Sequence, residues 1–131
     1  MEKTIVVSSK IENLRIVEKF IDEISVECKL NSELYGNLLI ATLEGANNAI
    51  VHGNKLKEEL KVSLSAICID NKLTITIEDR GPGFDYKNIP DPTAPENIEN
   101  VSGRGVFLMT KLSDNLIFKN KGSLVEMHFN L

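Results

Sequence analysis

No stretch of this chain stays apolar for anything near the roughly 20 residues of a membrane-spanning helix, so no membrane association by a helical span is expected. The opening residues, Met1-Glu2-Lys3-Thr4, lack the charged-then-apolar order of a secretory signal, and a cytoplasmic location is expected. Cysteine is scarce. Cys28 and Cys68 are far apart in the sequence and outside any Cys-x-x-Cys, which favours free thiols over a disulfide. Basic clusters are missing as well. With 15 Lys and Arg against 19 Asp and Glu, the formal net charge is −4, which argues against direct binding of nucleic acid. The two histidines, His52 and His128, have no cysteine or acid at metal-site spacing, so a zinc centre is not expected. There is no Gly-x-x-x-x-Gly-Lys-Ser/Thr loop and no Gly-x-Gly-x-x-Gly turn after a strand. A nucleotide, if bound, requires another architecture.

What is present suits one compact domain over residues 1–131, with 42% hydrophobic and 26% charged residues and enough apolar side chains for a core. Residues 4–8 read as an opening strand. Ser9-Lys-Ile-Glu12 has the form of a capping box. Ile11, Leu14, Val17, Ile21 and Ile24 then recur at helical spacing, predicting a helix to about Cys28. Asn31 is placed to cap a second helix, whose apolar positions run from Leu34 to Ile50. Gly53 is placed to end it in a left-handed cap. Val62, Leu64, Ala66 and Cys68 alternate with polar residues, as do Leu73, Ile75 and Ile77; Asp70-Asn71 between them predicts a hairpin. From residue 81 to 102 the periodicity is lost, and this stretch holds all four prolines. A loop of that length in a small domain is commonly functional. A third helix resumes near Val106, followed by strands at 116–119 and 124–129 about an Asn120-Lys-Gly-Ser123 turn. The order predicts an α/β two-layer sandwich. Its sheet would be mixed, mainly antiparallel, and covered on one face by three helices.

Three segments carry chemistry. In Glu44-Gly-Ala-Asn-Asn48-Ala-Ile-Val-His52-Gly53, residues four apart share a helix face, so Glu44, Asn48 and His52 form one row. A carboxylate can act as general base, and a carboxamide oxygen is a ligand for Mg²⁺. The same pattern also fits a plain solvated face. Asn47 either supports such a site or is structural. Gly45 costs about 1 kcal/mol in a helix interior relative to Ala, which close approach of another segment or a ligand would explain. Asp79 follows Leu73, Ile75 and Ile77 on the same strand face, so alternation sends its carboxylate towards the core. There it requires a donor, from protein or ligand, unless the strand has already ended and Asp79 merely opens a turn. Gly81 and Gly83 follow directly. The third segment is Ser102-Gly103-Arg104-Gly105, placed before the third helix. Free N–H groups and glycines at such a position suit phosphate, and equally suit a hinge.

Together these segments resemble the Bergerat-fold (GHKL) ATPases, the superfamily of gyrase, Hsp90, histidine kinases and MutL. Glu44-x-x-x-Asn48-Ala-x-x-His52-Gly53 resembles the N-box, Asp79-x-Gly81-x-Gly83-Phe84 the first glycine box, and Gly103-Arg104-Gly105-Val106 the second. The small form with Glu four residues before Asn is most similar to the anti-sigma-factor serine/threonine kinases of bacterial partner-switching systems. The resemblance implies ATP and Mg²⁺ as ligands and residues 81–102 as an ATP lid. It implies Glu44 as general base, Asn48 as Mg²⁺ ligand, and Asp79 as acceptor for the adenine amino group. Gly81 and Gly83 would shape the adenine pocket, and Gly103, Arg104 and Gly105 would hold phosphate. Gly122-Ser123-x-Val125 resembles a late Gly-Thr-x-Val element whose hydroxyl supports adenine, with serine in place of threonine. The lid departs from the pattern in being proline-rich and poor in basic residues. The implied partners are a STAS-class anti-sigma-factor antagonist as phospho-acceptor and a sigma factor or similar regulator, with a homodimer also allowed. The alternative is a nucleotide-sensing module that sequesters a regulator without physiological kinase activity.

Overall fold

The computed structural model of the chain describes residues 1–83 and 101–131, with backbone alone for 101–103. The lid expected over 81–102 therefore lies, from residue 84 to 100, outside the described residues, as does Phe84. Five strands form one sheet: β1 (Glu2–Ser8), β2 (Lys61–Ile69), β3 (Lys72–Glu78), β4 (Asn115–Lys119) and β5 (Leu124–Asn130), in the order β1-β2-β3-β5-β4. Among the described residues all four pairings are antiparallel, so the sheet they form is antiparallel rather than mixed. Three helices, α1 (Leu14–Glu27), α2 (Ser32–Asn47) and α3 (Val101–Leu112), complete the expected two-layer sandwich.

Strand alternation decides which face the helices cover. Leu64 pairs with Ile77 and Ile77 with Val125; Ala66 pairs with Ile75 and Ile75 with Met127. These rows are buried together with Val17, Phe20, Ile21 and Ile24 of α1, Leu38, Ala41 and Ala46 of α2, and Met109 of α3. The intervening Ser63, Ser65, Thr74 and Thr76 point to the opposite face. A fully buried Ile or Leu contributes about 1.5–3 kcal/mol, so this aliphatic core stiffens the frame on which the site residues stand.

Local signals are mostly read correctly. The Asn31 side chain accepts the Leu34 N–H at 2.8 Å and caps α2. Asp70 and Asn71 have φ of 53° and 62°, the two positive values of a type I′ hairpin turn. Three expectations fail. The capping box does not form, because Ser9 donates its hydroxyl to the Leu60 carbonyl, 2.6 Å away, instead of serving the helix. Gly53 is not a left-handed cap; positive φ appears later, at Lys55 and Leu56. The third helix starts at Val101, so Gly103 and Gly105 lie inside its opening turns rather than before it.

The cysteines, distant in sequence, meet in space. Cys28 caps the end of α1 and Cys68 lies near the end of β2; both are free. Burial, together with a hydrogen bond and like-charge repulsion from Cys68, pushes the Cys28 thiol up to about 11. A thiol so held is a poor nucleophile at neutral pH.

Candidate functional site

Helix α2 changes character where its polar row begins. The α-helical turns end at Asn47, and residues Asn48–Gly53 continue as a π-helix. The Asn54 N–H reaches back to the Ala49 carbonyl at 2.8 Å, five residues away. Such widened turns are frequent at functional sites. Glu44 precedes the widening and Asn48 opens it with its N–H still bonded to the Glu44 carbonyl, so the two keep their shared face. His52 falls within it, so it leaves the row that strict α-helical spacing predicted, and it is exposed.

Two glycines let α2 and α3 approach closely. A Cβ on Gly45 would stand 2.6 Å from Ile77 Cδ1 and 3.2 Å from Met109 Sδ, so Gly45 admits the sheet and α3 against α2. That resolves its helix-interior cost in favour of another segment. Gly105 of α3 faces the other way. A Cβ there would lie 2.9 Å from Asn48 Nδ2, 3.1 Å from Asn48 Oδ1 and 3.2 Å from Glu44 Oε2. The carboxylate, the carboxamide and the opening turns of α3 thus converge on one point. Asn48 Oδ1 is buried and has no hydrogen-bond partner among the described residues. An orphaned buried oxygen is costly unless a ligand completes it.

This convergence makes Gly105→Ala diagnostic. Alanine favours a helix by up to about 1 kcal/mol over glycine, and the obstructing atoms are side-chain tips. The melting temperature is therefore expected to hold or rise, while affinity for the Mg-ATP expected from the sequence resemblance falls about tenfold or more through loss of a contact near 1.4 kcal/mol. Thermal unfolding and calorimetric titration measure the two effects separately.

Asp79 forms the other end. β3 ends at Glu78, but the ladder extends one bond further, the Asp79 N–H donating to the Ser123 carbonyl at 2.9 Å. Alternation therefore still applies, and the carboxylate turns to the helix side. There it packs on Gly53, where any Cβ would collide with it. Gly81 donates its N–H to Asp79 Oδ1 at 2.8 Å. Burial raises the Asp79 carboxyl above its ordinary range; the Gly81 N–H bond opposes this and Glu78 adds to it. Gly81 itself lies so close to the Gly53 carbonyl that a side chain cannot fit. Gly83, at φ of 86°, is pressed in the same way against the Lys121 carbonyl.

Of the remaining expected residues, Ser123 is adjacent to Asp79 through its backbone, while its hydroxyl donates to the Asn120 carbonyl at 2.9 Å. Arg104 is exposed on the opening turn of α3. Asn47 ends the α-helical part of α2 without a capping side-chain bond. The sequence reading missed Asn54. It is 1% exposed and bonds three separate segments, yet its only sequence signal is a polar residue after a helix-ending glycine.

Residues 7–129 match the family described as histidine kinase-like ATPase domain. Among curated proteins, the chain is similar to Serine-protein kinase RsbW of Staphylococcus epidermidis, 31% identical over 96 residues that cover 67% of this chain and 60% of the relative. It is similarly related to Serine-protein kinase RsbW of Staphylococcus aureus, 30% identical over the same 67% and 60% shares. The aligned part thus spans about three fifths of these relatives' length. An antiparallel sheet under three helices and a match over nearly the whole chain agree: the chain belongs to the histidine kinase-like ATPase domain family.

Proposed function

We propose that the protein is a Mg-ATP-dependent serine/threonine kinase of the anti-sigma type. It phosphorylates a STAS-class anti-sigma-factor antagonist and sequesters a sigma factor or a similar regulator. The observation that carries this reading is the meeting of Glu44 Oε2 and Asn48 Oδ1 at the start of α3, over a glycine whose missing Cβ leaves room. Similarity to proteins named serine-protein kinases supports it.

The residues present fit a magnesium ion. Asn48 Oδ1 is a hard oxygen, buried and without a protein partner among the described residues. Bound there, Mg²⁺ would neutralise charge on the phosphates. The first turn of α3 has N–H groups that no helical carbonyl can pair, which suits phosphate oxygens, with Arg104 in that turn. Asp79 Oδ1 accepts from Gly81, which leaves its second oxygen to accept from the exocyclic amino group of adenine. Glu44 takes the proton of the acceptor hydroxyl as that oxygen bonds to the γ-phosphorus. The bond from phosphorus to the bridging oxygen breaks, and ADP departs. Little else is required, because phosphoryl transfer depends on alignment and charge stabilisation.

The test has two stages. Calorimetric titration of ATP with and without Mg²⁺ is expected to show Mg-dependent binding. Incubation with γ-labelled ATP and a serine-bearing STAS protein is expected to move label onto that protein. Nucleotide-dependent complexes without transferred label would select the sequestering module instead. Failure of the folded protein to bind ATP would overturn both.

A further inference from the structure

The turn that carries Asp79 is held from three sides. The Asp79 N–H bonds Ser123, and the Gly81 N–H bonds the Asp79 carboxylate. Between them the Arg80 N–H donates to Asn54 Oδ1 at 2.7 Å. Asn54 is the residue after Gly53, the same residue whose Cα receives the Asp79 carboxylate and whose carbonyl abuts Gly81. Its amide nitrogen donates to Ser9 Oγ at 2.9 Å and to the Lys61 carbonyl at 3.1 Å. Ser9 in turn donates to Leu60. Every polar atom of this buried side chain is engaged, which also fixes which way the amide points. The end of β1, the start of β2 and the π-helical end of α2 are tied to the residue next to Asp79.

We infer that Asn54 is a positioning residue for the nucleotide base: by fixing the Asp79–Arg80 peptide it aims the Asp79 carboxylate. The inference rests on the nucleotide site proposed above. If the Arg80 N–H is unpaired, the turn keeps only its ties at Asp79 and Gly81, the peptide between them can tilt, and the Asp79 carboxylate loses its fixed direction although its own chemistry is untouched. Gly53 and Gly81 leave no side chain to restore the alignment.

The test compares ATP with inosine triphosphate, which replaces the amino group by a carbonyl that a carboxylate repels. The native protein is expected to prefer ATP about tenfold or more, the worth of one charge-assisted hydrogen bond. In Asn54→Ala, assayed below its own unfolding temperature, that preference is expected to shrink towards parity, while Mg-dependence of binding persists. Asn54→Asp keeps an oxygen facing Arg80, so it is expected to restore the preference even if it unfolds earlier. A lower melting temperature with unchanged ATP preference would overturn the inference and leave Asn54 a purely structural tie. Should Asn54→Ala fail to fold, Asn54→Ser makes the same comparison, since its hydroxyl can pair with Ser9 but is too short for Arg80. A native protein that binds ATP and inosine triphosphate equally would instead refute the assigned role of Asp79, which separates the two failures.

Discussion

Glu44→Ala is expected to lower phosphoryl transfer by about 10²–10⁴-fold, the usual contribution of a positioned general base. ATP affinity should change little. Glu44 precedes the π-helical turn and shares the point at Gly105 with Asn48, but the orphaned buried oxygen there belongs to Asn48. Alanine is also the better helix former, so α2 should persist without the carboxylate. Single-turnover transfer to a STAS substrate, with ATP titration as control, separates the two quantities. Transfer at the native rate would remove Glu44 from the chemistry. Joint loss of transfer and binding would make it a ligand of the nucleotide instead.

Asp79→Asn is expected to weaken ATP binding by about 10–150-fold, the loss of a hydrogen bond to a charged acceptor worth about 1.5–3 kcal/mol. The carboxamide oxygen can still accept from Gly81, so the turn should survive; what changes is the atom left for the base. The pH dependence gives an independent check. Burial raises the Asp79 carboxyl, so in the folded protein the charged form is disfavoured relative to the unfolded chain. Asp79 therefore subtracts stability above its folded pKa, and that penalty disappears as pH falls through it. Acidification across the same range protonates the acceptor. Native ATP affinity should fall there, while Asp79→Asn should bind weakly with no such dependence. The variant should also be no less heat-stable than the native chain near neutral pH. A native affinity that stays flat on acidification would separate Asp79 from base recognition.

The two ends of the site differ in how far local spacing specified them. Glu44 and Asn48 share a face because four residues make about one helical turn, a relation internal to α2. Asp79 turns inwards because strand alternation continues past Ile77, and the Ser123 bond extends the ladder to it. The hairpin, the Asn31 cap and the apolar faces of both layers follow from the same short-range rules. Ser9 and Gly53 depart from their helix-end motifs for a common reason. Each fits a helix-end motif by sequence, but a partner from another element claims it: Leu60 and Asn54 take the Ser9 hydroxyl, and Asp79 takes the space at Gly53.

By itself, then, the sequence determined the periodicities, the two-layer class and the order of the three polar segments, since each depends on neighbours within a few residues. Tertiary structure decided the rest. Only the docking of α3 on α2 brings Gly105 to Glu44 and Asn48. Only the meeting of β1, β2 and the end of α2 makes Asn54 a buried hub rather than a surface residue after a glycine. Contacts across tens of residues have no fixed spacing, because they are set by how rigid elements pack, and that packing is the property a local pattern does not encode.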